Sequence, residues 1–209
     1  MIAAVENRSS SLSAALSLER SSPAAPINTG VCPNAQRRNS ATAVNGGGGG
    51  IFNQDNCSPT LTDCTFNGNF AANYGGGMFN ETGNPTLANV TFSGNSVTDR
   101  GGGMFNDVSS PMVTNCIFSG NSASQGGGGI FNFANSNPSI TNCTFSENTA
   151  TSFGGGMSNV LYSSPIVTNC TFNDNTAAAY GGAIYQSWSI PTLTNYILWG
   201  DKPGEIAGN

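Results

Sequence analysis

A segment of 22 residues, PMVTNCIFSGNSASQGGGGIFN at 111–132, recurs with small changes from about residue 45 to about residue 199. A fixed period of this size settles the architecture before any local propensity does. Each unit is too short to bury a core alone and must stack on its neighbours. The residue closing each glycine run is Ile51, Met78, Met104, Ile130, Met157 and Ile184, in steps of 27, 26, 26, 27 and 27. The prolines Pro59, Pro85, Pro111, Pro138, Pro165 and Pro191 step by 26, 26, 27, 27 and 26. Two independent markers agree to within one residue, so composition bias does not explain the pattern.

Each unit reads as three short strands joined by turns. The first carries Leu61, Leu87, Val113, Ile140, Val167 or Leu193 at its inward position. Next stands Asp63, Asn89, Asn115, Asn142, Asn169 or Asn195. Asn and Asp tolerate left-handed backbone angles, so a sharp bend is expected there. That bend lets Leu61 and Cys64, three apart, both face inward, which plain strand alternation forbids. The second strand supplies a cysteine column (Cys64, Val90, Cys116, Cys143, Cys170, Tyr196) and an aromatic column (Phe66, Phe92, Phe118, Phe145, Phe172, Leu198). The third is the end of the glycine run with Met or Ile, then Phe or Tyr, then usually Asn. Glycine repeated at one place in a strand marks close backbone approach, here a tight corner.

Stacked in register, each strand pairs with its copy about 4.8 Å away, and like side chains form ladders. The expected fold is therefore all-β: a right-handed parallel β-helix of about six rungs, about 29 Å long. The Gly, Asn and Thr content is wrong for an α-solenoid, and 26 or 27 residues are too few for a propeller blade. Residues 1–38 lack the repeat's character and hold four of the six basic residues; they form a tail or cap, with Leu12, Ala15, Leu16 and Glu19 at helical spacing over 11–20. Residues 39–209 form the β-helix domain. Its last unit, with Tyr196, Leu198 and Trp199, has the look of a rung followed by more rungs, so truncation at the C-terminus is expected. Cys32 and Cys57, outside the core columns, leave a bridge between them open.

The alternation of Phe-x-x-Asn (Phe92 to Asn95, Phe118 to Asn121, Phe145 to Asn148) with Gly-Gly-Ala-Ile (Gly181 to Ile184) or its Gly-Gly-Gly-Met variant resembles the repeat of chlamydial-type polymorphic outer membrane proteins. The resemblance spans about 39–199. It implies a bacterial, surface-displayed or secreted passenger, often adhesive, placed outside the cell or at the outer membrane. The chain departs from that family in lacking the alternating strands of a membrane barrel. The first ten residues do not make a secretory signal, and no window of 18 apolar residues offers a transmembrane helix.

The chemistry available is narrow. Histidine is absent, charged residues are only 8%, and net charge is −5. Nucleic acid is not an expected partner, since phosphate contacts need clustered Lys and Arg. The aligned cysteines point in parallel, which neither a relaxed disulfide nor tetrahedral zinc accepts, so a buried free-thiol ladder is expected. Asp63, Asp99, Asp107, Glu147 and Asp174 fall on different rungs and positions. They do not converge as the paired carboxylates of hydrolysis must. No catalytic, metal or cofactor site is expected.

What remains is binding. Phe52, Phe79, Phe105, Phe131 and Tyr185 follow the inward Met or Ile, so alternation turns them outward as an aromatic stripe interrupted by Ser158. Either the stripe is exposed or the loops ending at each proline fold over it. The loops 133–137, 160–164 and 186–190, with Tyr162 and Trp188, vary most, and variable loops on one face of a repeat array often bind. The expected partner is a host or neighbouring-cell surface protein or a glycan. The alternatives are a carbohydrate-active β-helix of the pectate-lyase kind and, from the outward Thr62, Thr114, Thr141, Thr168 and Thr194 and Thr65, Thr91, Thr144 and Thr171, an ice-binding face.

Overall fold

The computed structural model describes residues 36–37, 40–41 and 47–208. The expected 11–20 helix and Cys32 lie outside them. Successive coils stack with the register the repeat demands: Met78 pairs with Met104, Met104 with Ile130, and Ile130 with Met157, all parallel.

Each full rung carries four strands rather than three. The glycine sheet runs through Ile51–Asn53, Met78–Glu81, Met104–Asp107, Ile130–Phe133, Met157–Val160, Ile184–Ser187 and Ile206–Gly208. The proline sheet stacks Thr60–Thr62 through Thr192–Thr194, and the phenylalanine sheet stacks Thr65–Asn67 through Ile197–Trp199. The fourth, narrow sheet has only two residues per strand: Ser40–Ala41, Phe70–Ala71, Ser96–Val97, Ser122–Ala123, Thr149–Ala150 and Thr176–Ala177. Strands so short leave no readable alternation, which is why the sequence pattern passes over them. Ser40–Ala41 already pairs in parallel with Phe70–Ala71. Gln36–Arg37, by contrast, lies antiparallel along the first glycine-sheet strand, opposite Phe52 and Ile51.

Four corners separate the sheets, and each is a left-handed residue. Between proline and phenylalanine sheets stand Asp63, Asn89, Asn115, Asn142, Asn169 and Asn195, with φ from 49° to 55°. This is the bend expected from the Asn column, and Leu61 and Cys64 are both buried by it. Before the glycine sheet stand Gly75, Gly101, Gly127, Gly154 and Gly181 with φ near 60–73°. At Gly76, the next residue, a side-chain carbon would lie 2.4 Å from the Gly102 carbonyl oxygen. That backbone contact is why the run allows no side chain there.

The core is a set of ladders. Phe66, Phe92, Phe118, Phe145 and Phe172 stack with centroids 4.5–4.9 Å apart and planes within 5°. Beside them lie the Met/Ile, Leu/Val/Ile and Cys columns, all buried. In the final rung the columns surface: Leu193 and Leu198 are half-buried and Tyr196 is exposed.

Two asparagine ladders lie wholly inside. Asn53, Asn80, Asn106, Asn132 and Asn159 pass carboxamide hydrogen bonds of 2.7–2.8 Å from rung to rung. Asn69, Asn95, Asn121, Asn148 and Asn175 do the same at 2.8–2.9 Å. In the second ladder Asn95, Asn121, Asn148 and Asn175 each also donate to a phenylalanine carbonyl of the preceding rung, as Asn95 does to Phe66 at 2.9 Å. Within the ladders these bonds satisfy the buried amides, and atoms without a partner, Asn53 Oδ1, Asn69 Oδ1 and Asn159 Nδ2, lie at the ladder ends.

Candidate functional site

The aromatic stripe is not a surface. Phe79, Phe105 and Phe131 are buried, at 7%, 3% and 4% exposure, while Phe52 and Tyr185 are half-buried. They form a second apolar cluster outside the sheet, packed with Tyr74, Phe133 and Val160. The outward direction read from alternation is correct for the strand, but a second layer covers it. Phe133 and Val160 begin the loops that were candidates for the cover. The rest comes from the residue before each left-handed corner glycine, whose role the sequence reading missed.

That residue lies over the stripe of the following rung. Tyr74 lies tilted against Phe105 at 4.7 Å, and Phe153 stacks on Tyr185 at 4.8 Å. The Arg100 guanidinium sits 5.4 Å over the Phe131 ring, held by Gln125 Oε1 at 3.0 Å and by Asp99 at 3.4 Å. Gly126, which has no side chain, meets Ser158, the one small residue in the stripe. Covering and covered side chains therefore match in size, and the one trace of this in the sequence is paired variation at positions 31 or 32 apart.

The loop corner between glycine and proline sheets is different. Its left-handed residues are Asp55 and Asn56, Thr82, Val108, Ala134 and Asn135, Leu161 and Tyr162, and Trp188, with φ from 50° to 64°. Positive φ in a β-branched or bulky residue is a true outlier. The other three corners obey the rule almost throughout with Gly, Asn or Asp, Glu147 being the exception. Among the described residues, large apolar side chains take that conformation at this corner alone, and they are left in solvent: Val108 54%, Tyr162 60%, Trp188 64%. The Tyr162 and Trp188 rings meet edge-on, centroids 6.5 Å apart and planes at 73°. Their backbones are joined by Tyr162 N–H donating to the Trp188 carbonyl at 2.7 Å. Of the seven sequence candidates, then, the structure buries or half-buries five and brings the other two together on the surface.

The five carboxylates singled out from the sequence do not converge on one another. Asp63, Glu147 and Asp174 occupy left-handed corners. Asp99 lies against Arg100; burial raises its carboxyl above the usual range, and Arg100 opposes the shift. Asp107 is the register partner of Glu81, and burial raises it too. Among the described residues no group of three or more His, Cys, Asp or Glu is placed to hold a metal ion, and no helix is long and apolar enough to cross a membrane.

Cys64, Cys116, Cys143 and Cys170 are free and buried, as the parallel column required. Each thiol donates to a nearby backbone carbonyl, Cys143 to Thr141 at 3.2 Å. The adjoining thiols of Cys116 and Cys170, together with burial, hold the Cys143 thiol well above its ordinary range. Cys57 is disulfide-bonded. The Thr columns sit on outward faces, but Met112, Ile117 and Ile166 share those faces and are exposed.

No curated protein and no solved structure gives a significant match to this chain. The family model described as the right-handed β-helix region matches residues 38–198. That span covers all but the edges of the stacked coils, and the chain belongs to the right-handed β-helix family.

Proposed function

We propose that the protein is a non-enzymatic binding module, adhesin-like, displayed on a cell surface or secreted, which engages a partner protein or glycan through the loop corner around Tyr162 and Trp188. One observation carries this reading: large rings are held exposed on left-handed backbone. An L-residue in that conformation costs roughly 1–2 kcal/mol, and side chains this exposed bury little apolar surface in return. Strain kept where a smaller residue would relieve it is the usual mark of a contact site. The Phe-x-x-Asn and Gly-Gly-Ala-Ile resemblance to polymorphic outer membrane proteins supports surface display.

The test is an array of immobilised glycans and cell-surface proteins, probed with wild type and with Tyr162→Ala/Trp188→Ala. Both side chains are exposed, so the double variant should melt with the wild type while losing its array signal. Undiminished signal from the variant would sink the reading.

A second reading is a carbohydrate-active β-helix. It is favoured by Glu81 and Asp107, register partners on adjoining rungs, with Asp107 raised toward the protonated form. Turnover of a polysaccharide by wild type, abolished in Glu81→Gln and Asp107→Asn, would establish it.

A further inference from the structure

Resting on the loop corner as a contact site, we infer that its ligand is an uncharged polysaccharide. The three segments that build the corner on the last rungs are 133–139, 160–166 and 187–192, and none contains Asp, Glu, Lys or Arg. They adjoin directly: Asn135 N–H donates to the Leu161 carbonyl at 3.0 Å, and Leu161 N–H to the Ser187 carbonyl at 3.1 Å. The charges these rungs do carry, Glu147 and Asp174, sit at the corner between the phenylalanine and narrow sheets. An acidic glycan would need cations at the contact, and a basic segment would need anions; the corner on these rungs offers neither, the carboxylates of Asp55, Glu81 and Asp107 belonging to the earlier rungs.

What it offers is two ring faces set nearly at right angles, more than half exposed. Around them are carboxamides and hydroxyls: Asn135 and Asn137 are exposed, and Ser164 and Gln186 are half-exposed. A sugar ring presents an apolar C–H face ringed by hydroxyls. Aromatic faces take the first and neutral hydrogen-bonding groups the second, the composition expected of a site for an uncharged polar ligand. The corner climbs the solenoid at one rung per coil, so Asn135, Tyr162 and Trp188 form a row about 4.8 Å apart. A linear chain lies along such a row better than a compact ligand does.

The experiment uses the whole chain in affinity electrophoresis through gels carrying xylan, glucomannan, mixed-linkage β-glucan, polygalacturonate or heparin. A second readout follows Trp188 emission in a Trp199→Phe background, with the same soluble polymers as titrants. Retardation by at least one neutral polymer and none by the acidic ones is expected, with a shift in Trp188 emission. Tyr162→Ala and Trp188→Ala should each weaken binding about tenfold, the loss of one stacked ring, at unchanged melting temperature. Retardation by polygalacturonate or heparin that equals or exceeds the neutral polymers would overturn the inference. So would silence toward every polymer. If the double variant still loses a protein signal on the array, the contact site stands and only the ligand class falls; if it loses none, both fall.

Discussion

Asn175 donates both its backbone N–H and its carboxamide N–H to one oxygen of Asp201, each at 2.7 Å, and the inner asparagine ladder stops there. Asn95, Asn121, Asn148 and Asn175 each receive two such bonds at Oδ1, and every asparagine of the ladder passes its own Nδ2–H forward. A carboxylate accepts and has nothing to pass on. Asp201 is buried, at 6% exposure, so its loss strands two donors. Asp201→Ala should cost about 1–3 kcal/mol for the orphaned groups. Asp201→Asn keeps the acceptor and should cost less. Chemical denaturation of both variants decides it, and equal losses would mean the acceptor is not what matters.

The buried stripe reassigns Phe105. An exposed stripe would make it a binding residue, yet it lies under Tyr74 and beside Phe131, with centroids at 4.7 and 5.4 Å. Phe105→Ala should therefore act on stability, by about 3–5 kcal/mol as for other buried aromatics. Trp188→Ala should leave stability alone. Melting curves of the two separate a core ring from a surface ring.

The parts of this fold open to sequence reading were those repeated identically. Period, register, the Asn bend and the Phe and Cys ladders each recur in nearly every unit, and one unit's geometry then holds for all. The narrow sheet was hidden because Ser96–Val97 and its copies are too short to alternate. The cover on the stripe was hidden because Tyr74, Arg100, Gly126 and Phe153 share no chemistry, only a position. Tyr162 and Trp188 were visible as variable-loop aromatics. Their distinction from Phe105 came only with the third dimension, since all are aromatic residues near the same strands.

Within the second strand the facing of side chains has a direct test. Cys143 is 1% exposed and Thr144 points out. Cys143→Ser places a hydroxyl in a dry column and should cost about 1–2 kcal/mol even with Thr141 as acceptor. Thr144→Ser should stay within about 0.5 kcal/mol. Equal shifts in melting temperature would contradict the ladder.

Cys64 sets an alkaline limit. Burial raises its thiol in the folded chain, whereas in the triplet hydrogen bonding raises Cys143 and lowers Cys116 and Cys170, opposing shifts with no single direction. An unfolded thiol ionises near its ordinary value of about 8.5. Below that, both states hold the Cys64 proton and its contribution is fully present. Above it, the unfolded chain sheds a proton the folded chain keeps, so stability falls as pH rises toward the folded value. Melting temperature should therefore fall less steeply above about pH 8.5 in Cys64→Ala than in the wild type. A variant with the full wild-type slope would remove Cys64 as a source.

Strain at the loop corner can be measured away from the rings. Val108 is β-branched, held at φ 50°, and 54% exposed. Glycine at this position escapes the left-handed penalty of roughly 1–2 kcal/mol and gives back roughly 0.5–1 kcal/mol in unfolded-chain entropy. Val108→Gly should thus leave the protein about 0.5–1 kcal/mol more stable. Met112→Gly, at matching exposure but in the strand Met112–Thr114 with no positive φ, should destabilise, since glycine there gains no relief. Opposite signs in the two denaturation midpoints show that the corner holds its apolar side chains against the backbone's preference; a loss at Val108 would show that its side chain contributes to folding instead.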